Sequence, residues 1–133
     1  MRRYALERIN ALLDRLATEV ERTRTVRDAD AVHDLRVTIR RFGRSLGAFS
    51  PFVPRRAVKR IRAQLGHIMD LAGEVRNRDI TMELLAEAKI QDAVATLQQD
   101  RELAMRILIS ELNRWVVENE AVRWRAALEL PSV

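Results

Sequence analysis

The chain has 133 residues, of which 47% are hydrophobic and 32% are charged, and its 24 Lys and Arg residues against 19 Asp and Glu residues give a formal net charge of +5. This length fits one domain with a real core, and no segment approaches the roughly 18 uninterrupted apolar residues of a membrane helix. The absence of cysteine excludes disulfide bonds, thiolate metal ligands and a cysteine nucleophile. We therefore expect a soluble, cytoplasmic protein without membrane contact.

The positive charge is concentrated in the first part of the chain. Residues 1–78 have a net charge of +9, whereas residues 79–133 have a net charge of −4. Within residues 31–62, nine basic side chains accompany a single acid, Asp34. All basic residues except Lys59 and Lys89 are arginine, whose planar guanidinium matches pairs of phosphate oxygens. This concentration of charge predicts an anion-binding surface.

Apolar residues recur at intervals of three and four along the chain, which is the period of an amphipathic α-helix. Helices are predicted over about residues 2–25, 31–50, 55–73, 78–89 and 92–129. Asp28 or Asp30 is predicted to cap the second helix, because a short carboxylate accepts hydrogen bonds from the free N–H groups of a first turn. Pro51 and Pro54 separate the second helix from the third.

Two interruptions of the helical pattern are predicted. Gly73, followed by the polar run 76–79, predicts a bend between the third and fourth helices, and a second bend is expected near residues 118–120. No segment shows the alternation typical of a strand. The predicted fold class is therefore all-α, an antiparallel helical bundle of four to five helices, with residues 1–133 forming a single domain.

The second helix carries the candidate functional residues on one face. On a helical wheel His33, Arg36, Arg40 and Arg44 fall within a sector of about 80°, and Arg41 flanks them. The apolar residues of this helix lie on the opposite side. No acid interrupts the column, although cations at i and i+4 repel each other. A solvated basic face and a binding face both account for this spacing.

The third helix changes the balance between those two interpretations. Arg55, Lys59 and Arg62 lie within about 60° of one another and opposite its apolar side. Consecutive helices joined by a short turn pack antiparallel, so the two basic faces are expected to flank one groove. A chain of phosphates is the natural occupant of such a groove. The predicted binding residues are His33, Arg36, Arg40, Arg41, Arg44, Arg55, Lys59 and Arg62.

Two segments resemble the signatures of a known family, the CHAD domain or conserved histidine α-helical domain. Residues 33–44 read His-x-x-Arg-Val-x-x-Arg-Arg-x-x-Arg, which is similar to the first signature of that family. Residues 71–80 read Leu-Ala-Gly-Glu-Val-Arg-Asn-Arg-Asp-Ile, which resembles the second signature, Leu-Gly-x-x-Arg-Asp-x-Asp-Val. The paired acids of the second signature are reduced here to Asn77 and Asp79.

The resemblance implies an all-helical protein that binds inorganic polyphosphate in a basic channel and that associates with polyphosphate granules. Because the basic column offers no nucleophile and no acid cluster, neither catalysis nor a cofactor is expected. Matched motif by motif, it implicates His33, Arg36, Arg40, Arg41 and Arg44. A typical member is about twice as long and has a second basic half, so the chain corresponds to one half of the usual two-bundle domain. Either the chain is a short or truncated form of the family, or two copies associate to rebuild the full groove, and of these self-association into a homodimer is predicted.

Two other functions are considered for the same surface. The first is nucleic-acid binding, which is not expected because the chain offers few exposed aromatic residues for base stacking. The second is a role as an accessory module of a phosphohydrolase, or as the hydrolase itself, for which the column offers no nucleophile or acid cluster. A Mg²⁺ site at Asp70, Glu74 and Asp79 is considered but not predicted, because these acids are expected to form ion pairs with Arg76 or Arg78 instead.

Overall fold

A computed structural model describes residues 1–131 of the chain, and it contains only helices and their connections over that range. The five α-helices are α1 (Arg2–Val26), α2 (Ala29–Ala48), α3 (Arg55–Glu87), α4 (Val94–Val117) and α5 (Glu120–Ala127). A short 3-10 helix, Ser50–Phe52, joins α2 to α3. The predicted all-α bundle of four to five helices is confirmed.

The turn between α1 and α2 is set by two consecutive residues. Arg27 adopts the left-handed conformation, with φ 59°, and ends α1. Asp28 then caps α2, because its carboxylate accepts a hydrogen bond of 2.8 Å from the backbone N–H of Ala31. Of the two predicted caps, Asp28 is therefore the one used. Because the turn is short, α2 packs against α1.

The predicted bend at Gly73 is wrong. Helix α3 is one continuous helix of 33 residues that includes both the third and the fourth predicted helices. A glycine inside a helix costs only about 1 kcal/mol relative to alanine, which buried neighbours readily offset. Ile68, Ala72 and Val75 are all buried on either side of Gly73, so packing keeps the helix continuous through it. The second predicted bend is confirmed, since Asn119 has φ 57° and separates α4 from α5.

The core is formed by one apolar face of each helix. Phe42 of α2 is fully buried and stacks on Trp124 of α5, with ring centroids 6.1 Å apart, and Trp124 meets Trp115 of α4 edge to face at 5.5 Å. The indole N–H of Trp124 donates to the side chain of Gln64 in α3. These contacts join α2, α4 and α5 through their aromatic rings and α3 through Gln64. Because Phe42 is turned toward this cluster, the opposite face of α2 is turned away from the core.

Ion pairs tie the helices together around the core. Arg22 of α1 pairs with Asp34 of α2, and Arg101 of α4 pairs with Asp79 of α3. At the other end of the chain, the Arg125 guanidinium of α5 lies 2.7 Å from a carboxylate oxygen of Asp14.

None of the helices within residues 1–131 is both long enough and apolar enough to cross a membrane.

Candidate anion-binding site

The candidate site is built on the outer side of α2. Leu35, Phe42 and Leu46 are fully buried on its inner side, so the arginines between them are directed outward. Helix α1 packs against one flank of this outer side and α3 against the other. The exposed surface of α2 is therefore bordered by two separate depressions, one on each flank.

The first depression, the α2–α3 groove, has a volume of about 280 Å³. Its basic side chains are Arg40 and Arg44 from α2 and Arg62 from α3. The two helices run antiparallel here, because Gly47 lies beside Arg62 while Arg36 lies near Arg76. The Arg62 guanidinium lies against α2 beside Gly47, where an added Cβ would be in van der Waals contact with its Nη1 at 3.4 Å.

Arg36 is the most constrained cation on this flank. Its Nε atom is buried and has no hydrogen-bond partner among residues 1–131. Partial burial lowers the pKa of Arg36, and the neighbouring charges of Arg40 and Arg76 lower it further. A guanidinium nevertheless remains protonated at neutral pH. A charged, partly desolvated donor without a partner lowers the stability of the fold, and its burial keeps this Nε out of contact with solvent.

The carboxylates of the protein do not neutralise this groove. Arg40, Arg44 and Arg62 are exposed, and the described part of the chain contains no ion pair that involves any of them. Other arginines of the chain do form ion pairs, as Arg101 does with Asp79. The groove therefore presents unpaired, solvent-accessible guanidinium groups on both of its walls.

The second depression, the α1–α2 groove, is larger, with a volume of about 620 Å³. Its basic side chains are Arg8 and Arg15 from α1 and His33 and Arg41 from α2. The predicted column of cations on α2 is thus divided between two grooves. His33 and Arg41 face α1, whereas Arg40 and Arg44 face α3.

The structure places only some of the predicted site residues in the α2–α3 groove. The structure brings Arg40, Arg44 and Arg62 into one groove, with Arg36 close to Arg40. His33 and Arg41 lie outside that groove, which corrects the expectation of a single column. Arg55 and Lys59 are exposed on α3, seven and three residues before Arg62, and neither lines the groove.

Two basic residues that line the α1–α2 groove, and a third that lies near Arg36, were not predicted as site residues. Arg8 and Arg15 are seven residues apart on α1, a spacing that places them on one face, but only the apolar face of α1 was interpreted. Arg76 was expected to pair with an acid. It lies fourteen residues after Arg62 on the continuous α3, which returns it to nearly the same face and brings it near Arg36.

The acids of the second signature form ion pairs. Glu74 pairs with Arg78, as expected, whereas Asp79 pairs with Arg101 of α4 instead of with its sequence neighbours. Among residues 1–131 no three His, Asp or Glu side chains are grouped closely enough to hold a metal ion. These acids therefore stabilise α3 and its contact with α4, away from the guanidinium groups of the α2–α3 groove.

Comparison with known proteins identifies the family. A family model described as the CHAD domain matches residues 7–132, which is nearly the whole chain. The chain therefore belongs to the CHAD domain family. No curated protein and no solved structure matches it.

Proposed function

We propose that this chain binds inorganic polyphosphate, or a similar linear polyanion, in the α2–α3 groove and catalyses no reaction on it. The observation that carries the proposal is the convergence of three exposed guanidinium groups from two helices, Arg40, Arg44 and Arg62, none of which forms an ion pair within residues 1–131. Membership of the CHAD family supports the same ligand class, because the family is associated with polyphosphate.

The chemistry of the groove favours a chain of phosphates over an isolated anion. Arginine forks donate two parallel hydrogen bonds to the oxygens of one phosphate. Arg40 and Arg44 are one helical turn apart on one wall, and Arg62 faces them from the other. A polymer with a negative charge on every unit is able to contact all of them at once. Arg55 and Lys59 extend the basic face of α3 beyond the groove and would contact a longer chain.

Affinity for polyphosphate is expected to fall steeply with salt. Neutralising several phosphates releases their bound counterions, so the logarithm of the binding constant decreases linearly with the logarithm of salt concentration. A slope corresponding to about three or more phosphate contacts is expected from the cations of this groove. Fluorescence-anisotropy titrations with labelled polyphosphate at a series of salt concentrations provide the measurement.

The same titration separates the competing functions. Unlabelled polyphosphate is expected to displace the label at much lower phosphate concentration than single- or double-stranded DNA. Equal displacement by DNA at equal phosphate concentration would favour nucleic-acid binding instead. Release of orthophosphate from polyphosphate in the presence of Mg²⁺ would contradict the absence of catalysis.

The proposal includes a homodimer located in the cytoplasm at polyphosphate granules. Support for self-association comes from apolar side chains left exposed on the outer side of α3 and α4, where Leu103 is 57% and Ile107 is 49% exposed. Leu84 near the end of α3 is also exposed. Two copies that bury such residues against each other would add a second basic half to the first.

Mass in solution tests the dimer. Light scattering is expected to give twice the chain mass of 15.4 kDa, and replacing Ile107 with Glu is expected to return the mass to that of one chain. Replacing the exposed Val122 of α5 with Glu is the matched control and should leave the mass unchanged. A mass of one chain for the unaltered protein, with and without polyphosphate, would contradict the dimer.

A further inference from the structure

The hairpin formed by the end of α3 and the start of α4 extends beyond the other helices. None of residues 80–103 is buried, whereas buried residues recur every three or four positions along the rest of α3 and α4. Helix α2 runs antiparallel to α3, with Arg36 near Arg76, and its first residue precedes Arg36 by seven. Its first turn therefore reaches no further than about residue 83 of α3, and no helix of the described chain buries the rest of the hairpin.

The turn of this hairpin is a regular helix end. The backbone N–H of Ile90 donates to the carbonyl oxygen of Leu85 at 2.9 Å. The N–H of Lys89, which has φ 57°, donates to the carbonyl oxygen of Ala86 at 3.1 Å. This pair of bonds is the Schellman motif, which usually packs the following apolar residue on the last turn of the helix. Ile90 nevertheless stays 48% exposed, so the hairpin tip, residues 80–93, presents apolar side chains to solvent.

The α3 side of the hairpin tip carries an apolar ridge. Ile80 and Leu84 are one helical turn apart, and they are 38% and 59% exposed. They lie more than about 100° around α3 from Arg78, which lines a groove together with Leu103 and Ile107 of α4. The ridge therefore occupies a different face of the hairpin from that groove.

Free acids border the apolar ridge. Glu83 and Glu87 follow Ile80 and Leu84 by three residues each, a spacing that makes them neighbours on the helix surface. Both acids are exposed, and neither forms an ion pair within residues 1–131. The hairpin tip contains three acids and one base, Lys89, so its net charge is −2.

Charge decides between the possible occupants of this ridge. A second hairpin tip and polyphosphate both carry negative charge, so Glu83 and Glu87 repel them. A helix with an apolar stripe bordered by Lys or Arg complements both features of the tip. It adds a third helix that buries the ridge, and it supplies cations for the free acids.

We propose that the hairpin tip binds a basic amphipathic helix of a partner protein, which packs its apolar stripe on Ile80 and Leu84 and places its cations beside Glu83 and Glu87. Ile80 lies eleven residues, or about 16 Å along α3, beyond Met69 of the α2–α3 groove. The tip and the groove are therefore separate sites, and the chain holds the partner protein and polyphosphate at the same time.

Fluorescence anisotropy of the full chain with two labelled peptides tests this proposal. One peptide arranges leucine and lysine as an amphipathic helix, and the other has the same composition in a scrambled order without an apolar stripe. The ridge is altered by Ile80→Ser with Leu84→Ser. The matched control, Val117→Ser with Val122→Ser, removes two exposed apolar side chains from the junction of α4 and α5.

The acidic borders are altered in a second variant, Glu83→Gln with Glu87→Gln. Its matched control is Asp70→Asn with Glu129→Gln, which removes the same charge from two other exposed acids. These two acids also form no ion pair in the described part of the chain. Circular dichroism verifies that all four variants keep the helicity of the unaltered chain.

The unaltered chain is expected to bind the amphipathic peptide at least about tenfold more tightly than the scrambled peptide. The ridge variant is expected to lose about tenfold or more in affinity for the amphipathic peptide, and the border variant about fivefold or more. Both controls are expected to change that affinity by less than about threefold, and all four variants should bind polyphosphate within about threefold of the unaltered chain.

Other outcomes overturn the proposal. Equal binding of the two peptides, or tip variants that match their controls, would refute the partner helix and leave the α2–α3 groove unaffected. If ultracentrifugation shows that the chain self-associates and that Ile80→Ser with Leu84→Ser returns it to the mass of one chain, the ridge is an interface between copies and the partner helix is refuted. If the unaltered chain binds the amphipathic peptide as expected but does not bind polyphosphate, the proposed function fails and the site at the tip stands.

Discussion

Replacing Arg40 and Arg44 together with Glu is expected to reduce the affinity for long-chain polyphosphate by at least about a hundredfold. Each charge-assisted hydrogen bond contributes about 1.5–3 kcal/mol, and each reversal adds repulsion of the phosphates. The new carboxylates would also pair with Arg62 or Arg36 and neutralise the cations that remain. Anisotropy titration with labelled polyphosphate measures the loss.

The fold is expected to tolerate this change. Arg40 and Arg44 are exposed and one turn apart, so the substitution exchanges one like-charged pair for another on the surface of α2. Replacing Arg56 and Arg60 with Glu provides the control, since these exposed arginines have the same spacing and lie outside both grooves. The control acts only through the screened field and should cost less than about tenfold. Equal losses in the two variants would show that net charge, and not the groove, binds the polymer.

Replacing Phe42 with Ala is expected to destabilise the protein by about 3–5 kcal/mol. Phe42 is fully buried and stacks on Trp124, and the edge of Trp115 meets Trp124 in turn, so its removal leaves a cavity where α2, α4 and α5 meet. A loss of this size is a large fraction of the 5–15 kcal/mol typical of a small domain. It corresponds to a fall in melting temperature on the order of 10–20 °C, measurable by circular dichroism.

The exposed aromatic residue Tyr4 supplies the matched comparison. It makes an edge-to-face contact with Phe49 at 6.1 Å, but 61% of its surface is exposed. Tyr4→Ala is therefore expected to cost less than about 1 kcal/mol. A Phe42→Ala variant as stable as Tyr4→Ala would contradict the placement of Phe42 at the centre of the core. The tryptophan emission of the Phe42 variant should shift as Trp124 gains solvent.

Most of the fold is predictable from the sequence because the apolar period of three and four is strong in every helix. The boundaries of α1 and α2 and the break near Asn119 follow from that period and, at the start of α2, from the cap formed by Asp28. The continuity of α3, in contrast, does not follow from the local sequence pattern. Gly73 followed by a polar run is a local signal for a bend, and packing of Ile68, Ala72 and Val75 against the other helices overrides it.

The candidate site is only partly predictable, for a geometric reason. A helical wheel assigns Arg40 and Arg41 to one outward-facing side of α2, but it does not show where the neighbouring helices divide that side. In the folded chain α1 and α3 flank α2, and His33 and Arg41 are separated from Arg40 and Arg44. The pairing of Asp79 with Arg101, twenty-two residues away, likewise depends on tertiary packing.

The most direct test of polyphosphate binding in the α2–α3 groove is a crystal structure of the chain with polyphosphate. We predict phosphates along this groove, with oxygens within about 2.7–3.2 Å of the guanidinium groups of Arg40, Arg44 and Arg62. A complex in which the polymer lies elsewhere on the protein and leaves Arg40, Arg44 and Arg62 without phosphate partners would contradict the proposal.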